Sequence, residues 1–222
     1  MGKGKNRPVV ISLFDYSGVM VEPWLEAGLE CWIVDTRHPA MWGAGCVSVD
    51  AHGVNRVHHD LSTPWMYRGK RENVAMVFAF PPCDHLAVSG ARWFKGKGLR
   101  MLAKSVSLFA TAAEFCEWMG APYLIENPVS AISSYWRKPD FTFHPWQFTG
   151  YCDGDNYTKK TCLWTGNGFV MPKARRNPGL DQPDHRIAMA PPSPDRSTLR
   201  SMTPVGFARA VFEVNRHVLG KR

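Results

Sequence analysis

Seven consecutive apolar residues, Val74-Ala75-Met76-Val77-Phe78-Ala79-Phe80, stop abruptly at Pro81-Pro82-Cys83. A strand alternates its side chains between two faces, so a run with no polar member needs apolar cover on both. That is the situation of an interior strand in a parallel sheet flanked by helices. Shorter runs repeat the signature at Val9–Phe14 (VVISLF), Glu30–Asp35 (ECWIVD) and Tyr123-Leu124-Ile125. Between the last two the period changes. Leu102, Val106, Phe109, Ala113, Cys116 and Met119 recur at steps of four and three, one face of a helix over Leu99–Met119 that Gly120 ends. Met20–Ala27 also reads as helix, with Gly28 as its stop. Strands alternating with helices predict parallel crossovers. The expected fold class is therefore α/β, a mostly parallel sheet with helices on both faces.

The rest of the chain is less regular. A short strand is expected around Arg56–Leu61, and two more at Phe141–Phe148 and Thr161–Trp164, joined by the Gly/Asp-rich loop Gly150–Asn156. Pro172–Pro194 reads as irregular. Thr203 at N-cap and Pro204 at the first helical position predict a final helix with an apolar face of Phe207, Val211, Val214 and Val218. A chain of 222 residues suffices for one core, so residues 1–222 are read as a single domain, with 165–200 as a small recognition segment.

No apolar run approaches the length of a membrane span, and Met1–Lys5 lacks the apolar segment of a secretory leader, so a cytoplasmic protein without a membrane partner is expected. In that setting the six cysteines read as reduced thiols. None has CxxC spacing, and His58-His59 and Cys83-x-His85 lack further ligands at metal spacing, so no metal is expected. The net charge of +8 favours an anionic partner, nucleic acid first.

In open parallel sheets, ligands bind outside the carboxyl ends of the strands. Here Gly18 follows the first strand, Asp35 ends the second, Asp60 follows the short third, Pro81-Pro82-Cys83 follows the fourth and Glu126-Asn127-Pro128 the fifth. A strand, a Gly-bearing turn, a helix and an acid at the next strand's end form the general nucleotide-binding arrangement, the acid accepting from ribose hydroxyls. The turn lacks GxGxxG, which disfavours a dinucleotide and favours a single nucleoside such as S-adenosylmethionine. Asp35 taken alone reads more readily as a solvated strand-end acid than as a ribose ligand; with Gly18 and Asp60 the two readings are even.

A cysteine at a strand end is ordinarily core material, and a free thiol is only about 3% thiolate at neutral pH. Adjacent parallel strands, however, bring Glu126 close to Cys83. A thiol beside a carboxyl group suits addition to a pyrimidine: sulfur attacks C6 while the carboxyl group protonates or hydrogen-bonds ring N3, leaving C5 electron-rich.

The ordered segments SLFDYSG, WIVD, HHDL, FPPCDHLAVSG, LIENP, YTKKTCLW and TPVGFARAV resemble the DNA cytosine-5 methyltransferase family, in particular short, phage-like members with ENP and KKTCLW segments. The resemblance spans most of the chain and implies a Rossmann-like class I methyltransferase using S-adenosyl-L-methionine. It gives Cys83 the role of nucleophile and Glu126 that of the assisting acid, with Asn127 positioning the loop. Lys159 and Lys160 fall where the family holds the target base. Phe14, Asp15 and Gly18 match the cofactor loop, Asp35 the ribose acid and Asp60 the residue that contacts adenine, with Pro81 also on the cofactor side. The segment Thr203–Ala210 matches the last motif. The implied substrate is cytosine flipped out of double-stranded DNA by a monomeric enzyme in a bacterial or phage-infected cell.

Four departures stand out. Tyr16 replaces a glycine of the cofactor loop, lysines replace arginines at 159 and 160, Pro128 replaces a β-branched residue, and the recognition region is reduced to the stretch between Trp164 and Thr203. The last keeps two alternatives open: C5 methylation of free deoxycytidine nucleotides, and a catalytically inactive nucleic-acid-binding relative. An amino-methyltransferase would want a polar residue at Phe80 and an aromatic at Cys83.

Overall fold

The computed structural model describes residues 7–40, 45–191, 193 and 200–217. Met1–Lys5, Val218 and positions 192 and 194–199 of the expected recognition segment lie outside the described residues. The strands are β1 (Val9–Leu13), β2 (Glu30–Asp35), β3 (Val47–Val49), β4 (Asn55–His58), β5 (Val74–Ala79), β6 (Tyr123–Pro128), β7 (Phe141–Phe143) and β8 (Thr161–Gly166). The helices are α1 (Glu22–Glu26), α2 (Phe94–Lys97), α3 (Leu99–Met119), α4 (Ile132–Tyr135), α5 (Arg186–Met189) and α6 (Val205–Asn215).

All eight strands form one mixed sheet in the order β3-β4-β2-β1-β5-β6-β8-β7. The five strands from β4 to β6 run parallel; β3 adds antiparallel to β4, β8 to β6 and β7 to β8. The chain starts in the middle at β1, works outward to β4, returns to β5 and works outward the other way. That reversal leaves a crevice between the carboxyl ends of β1 and β5. Helices cover both faces. Phe109, Ala112, Phe115 and Cys116 of α3 pack on one, with Ile11, Val77 and Ile125. Trp24 of α1 and Phe207 and Val211 of α6 pack on the other, with Val10, Ile33, Met76 and Phe78. Every residue of β1 and β5 is buried, as uninterrupted apolar runs require. Among the described residues no helix is long and apolar enough to cross a membrane.

The structure corrects several element boundaries. The first helix is shorter than Met20–Ala27, because Pro23 sits in its first turn and Gly28 at φ +84° ends it. The strand expected at Arg56–Leu61 is Asn55–His58. It pairs with β3, which the pattern did not show because Val47 and Val49 lie exposed on the sheet edge. Phe141–Phe148 is a strand only to Phe143. Pro145 then opens a 3₁₀ turn, with His144 and Gln147 closing a reciprocal cap around it.

The final helix begins one residue later than expected, with Pro204 rather than Thr203 at N-cap and no side-chain cap there. Its open N-terminus is satisfied from elsewhere: the Gly206 amide donates to Asp155 Oδ2 at 2.6 Å. A Cβ on Gly206 would stand 2.5 Å from the Phe148 carbonyl oxygen, so only glycine permits this approach. Phe207 then stacks on Phe143 with ring centroids 3.9 Å apart, tying the helix to β7.

Candidate active site

The β5–β6 register pairs Ala79 with Ile125; beyond it Phe80 to Cys83 leave the sheet, while Glu126 and Asn127 continue in β6 beside them, paired with Leu163 and Cys162 of β8. Asn127 Nδ2 donates to the Pro81 carbonyl at 2.9 Å, fastening one strand end to the other. Beyond this tie the Leu86 and Ala87 amides both donate to the Cys83 carbonyl at 2.9 Å, wrapping the chain into a tight turn around the cysteine. Val88 N to Val129 O and Ala131 N to Leu86 O bind that turn to the loop after β6. Two prolines restrict the backbone before Cys83 and a ladder of hydrogen bonds restricts it afterwards. The thiol is mounted on a rigid loop.

Its charge environment is mixed. Burial pushes the Cys83 thiol above its ordinary range, Asp84 and Glu126 push the same way, and Lys159 and Arg200 pull it back. Two acids and two cations thus act on the sulfur in opposite senses, with burial the largest influence. Glu126 and Lys159 form an ion pair of 3.4 Å with both side chains about nine-tenths buried, and Lys159 Nζ also donates to the Met202 carbonyl at 3.2 Å. Tyr157 stands near the same carboxylate: burial raises its phenol, with Asp155 and Glu126 adding to the effect. Asn127 is 1% exposed, and its Oδ1 has no hydrogen-bond partner among the described residues. Unsatisfied buried acceptors are rare. This one belongs to the residue that holds the two strand ends together.

Lys160 is separated from its neighbour. It is exposed, and its charge acts on His144 and Cys162. Only Lys159 of the two faces the Cys83–Glu126 pair.

The β1–β2 end of the crevice has a different character. Phe14 adopts φ +55°, the left-handed region that a bulky side chain occupies at a cost of about 1–2 kcal/mol. Asp15 is buried and turned into its own loop. Oδ2 accepts from Ser12 Oγ at 2.8 Å, and Oδ1 accepts from the Gly18 amide at 2.8 Å and Ser17 Oγ at 3.2 Å. Gly18 is at φ +77°, and its carbonyl accepts the Val21 and Glu22 amides that lead into α1. Asp35 is also engaged. Oδ1 accepts from Arg37 N at 2.8 Å and Arg37 Nε at 2.9 Å, and Oδ2 from Arg37 Nη2 at 3.0 Å. The Arg37 guanidinium lies 4.6 Å from the centre of the Tyr16 ring, which stacks against His38 at 5.6 Å. Asp60 is exposed beyond β4, and its Oδ1 accepts the Ser62 amide at 2.9 Å, which holds its carboxyl below the ordinary range. His58 and His59 are spent on the carbonyls of His38 and Thr63.

A cavity of about 330 Å³ borders the Cys83 loop, lined by His85, Phe94, Lys95, Lys97, Leu99 and Leu102, and does not include Cys83 or Glu126. A groove at the opposite end of the sheet, by Arg71, Trp118 and His217, lies far from these side chains in the fold.

Sequence reasoning missed Arg37, Tyr157 and Arg200. Tyr157 begins the YTKKTCLW segment, and Arg37 stands two residues after an acid already singled out, so both carried a signal. Arg200 carried none; only the tertiary fold brings it to Cys83. In comparisons with known proteins, no family model matches the chain and no curated protein matches it.

Proposed function

We propose that this chain is an S-adenosylmethionine-dependent cytosine-5 methyltransferase acting on DNA, with Cys83 as the nucleophile. The observation that carries the reading is the fastening of a cysteine and a glutamate at adjacent parallel strand ends by the Asn127–Pro81 hydrogen bond. The finer fold assignment, a Rossmann-like class I methyltransferase, is supported by the strand order. Numbered along the chain, the parallel strands lie in the doubly wound order 3-2-1-4-5.

Cys83 loses its proton and its sulfur bonds to C6 of the target cytosine, breaking the 5,6 double bond and leaving C5 nucleophilic. Glu126 acts at ring N3, by hydrogen bond or proton transfer, and Lys159 fixes the carboxylate orientation from 3.4 Å. The thiol proton passes to water in the first step; once C5 carries the methyl group, water takes the C5 proton, N3 returns any proton to Glu126, and sulfur departs as a thiolate that is reprotonated from water, which restores the 5,6 double bond and the thiol. S-adenosylmethionine, when bound, supplies an electrophilic methyl group on sulfur. The β1–β2 end has groups that fit its adenosine part: Asp35 as acceptor for the ribose diol, Asp60 at the adenine side, and Phe14 and Gly18 in the turn after β1. Asp15 serves by holding that turn in shape.

DNA is favoured over a free nucleotide by the surface beyond Cys83. From His85 to Ala113 there is no Asp or Glu, while Arg92, Lys95, Lys97, Arg100 and Lys104 supply positive charge. Trp93 is 61% exposed there, with the Arg92 guanidinium 5.0 Å from its ring. Further guanidinium–aromatic pairs, Arg175–Tyr151, Arg176–Trp146 and Arg186–Tyr157, line the reduced recognition segment. Phosphate neutralisation and stacking are what a polymer partner uses.

The test is labelled S-adenosylmethionine offered with DNA, RNA and dCMP in separate tubes, followed by nucleoside mass spectrometry. Label in 5-methylcytosine from DNA is expected. Label from dCMP alone removes the DNA reading, and no transfer to any of them favours a binding protein.

A further inference from the structure

The carboxylate best placed to accept a ribose diol is already occupied by the chain itself. A carboxylate offers about four lone-pair positions, and Asp35 has three engaged, all by Arg37: its amide, Nε and Nη2. A diol donating from both hydroxyls needs two. We propose that Arg37 limits ligand affinity by competing with the nucleoside for Asp35, so that ligand entry requires its guanidinium to swing away. This rests on the reading of the β1–β2 end as the S-adenosylmethionine pocket, and names the residue that sets its affinity.

Three features make the exchange feasible. The Arg37 side chain is 50% exposed while that of Asp35 is 10% exposed, so the cation can leave into water and the acid stays. The amide contact from Arg37 N to Asp35 persists when the side chain departs, keeping the carboxylate oriented. Tyr16, whose ring holds the guanidinium at 4.6 Å, is itself braced by His38 and by Arg56 Nη1 donating to the Tyr16 carbonyl at 3.0 Å. The Tyr16 side chain stabilises the occupied arrangement, and the ring remains as a flat platform once the cation has moved.

A half-exposed ion pair is weak and screened by salt, so the competition is modest and salt-dependent. The experiment is calorimetric titration of the full-length wild-type, R37A, R37K and D35N proteins with S-adenosylmethionine and S-adenosylhomocysteine, at low salt and at 1 M NaCl. R37A is expected to bind about two- to five-fold more tightly than wild type at low salt, and the advantage should shrink at 1 M NaCl. R37K, which keeps the charge without the fork, should fall between them, and D35N should bind more weakly than wild type. R37A binding no better than wild type at low salt, while wild type binds, overturns the role of Arg37 and leaves the pocket assignment standing. Failure of every variant to bind either compound, with cooperative thermal melts intact, overturns the pocket assignment and the role of Arg37 with it.

Discussion

The two ends of the crevice are built on opposite principles. At the β5–β6 end the backbone is tied down while the side chains keep unfinished bonding: a Cys83 thiol pushed up by burial, an Asn127 Oδ1 without a partner among the described residues, and a Glu126 paired with Lys159. At the β1–β2 end the carboxylates of Asp15 and Asp35 are filled by the chain's own hydroxyls, amides and guanidinium. A site for chemistry gains from fixed geometry, because misplacement of reacting atoms is costly. A site for a ligand that must enter and leave can tolerate self-occupation, which a better partner displaces. Burial explains part of the contrast: Asp15 is 4% exposed, and an ionised group taken out of water must be paired or hydrogen-bonded.

The largest break in this comparison is expected from Cys83→Ser. Methyl transfer should fall by at least about a thousand-fold, since an unactivated hydroxyl is a far weaker nucleophile, with the thermal midpoint nearly unchanged. Retained transfer in the radiolabel assay removes Cys83 from the mechanism.

Asn127→Ala comes next. It frees the strand-end tie and strands the Pro81 carbonyl, so transfer should drop by about a hundred-fold and stability by about 1–3 kcal/mol. Denaturant melts and turnover measured together check it; a variant that loses stability and keeps its rate shows that the tie does not position the thiol.

Asp15→Ala probes the other end. If Asp15 organises its loop, stability should fall by about 1–3 kcal/mol as its buried partners lose their acceptor. Weaker cofactor binding with an unchanged denaturation midpoint would instead make Asp15 a direct ligand of the cofactor.

The smallest effect is the pH response of Cys83. Its thiol lies above the ordinary range, so below that shifted value the thiolate fraction, and with it alkylation by iodoacetamide, should rise about tenfold per pH unit. The expected window runs from neutral pH to beyond 8.5, with no plateau inside it, and Lys159→Ala should slow alkylation further by removing a cation that favours the thiolate. A plateau near pH 7 contradicts the upward shift of the thiol. The same shift has a sign for stability: the folded protein resists losing this proton, so the contribution is complete at low pH and declines as pH rises through the ordinary thiol range.

Much of the fold was legible in residue order. The unbroken run at Val74–Ala79 is buried on both faces, and the 4-3 spacing over Leu99–Met119 matches the helix boundaries residue for residue. These signals are local and repeat within one element, which is why they survive without tertiary context. Edge strand β3 did not show, since Val47 and Val49 face solvent, and the Pro145 turn overrode an aromatic run that reads as a strand.

For the site, sequence by itself determined which chemistry was on offer: a cysteine after two prolines, an acid in ENP and a pair of lysines, each near a strand end. Only the tertiary structure decided how they combine. Strand pairing set Glu126 beside Cys83, Lys159 was directed to that pair while Lys160 was exposed, and Arg200 came from a remote segment. It also decided that Asp35 is held by Arg37 and that Asp155 caps a helix fifty-one positions away. The physical reason is the same in each case. Hydrogen bonds and ion pairs act over a few ångströms, and residue order states what a side chain can donate or accept without stating which partner the fold brings within reach.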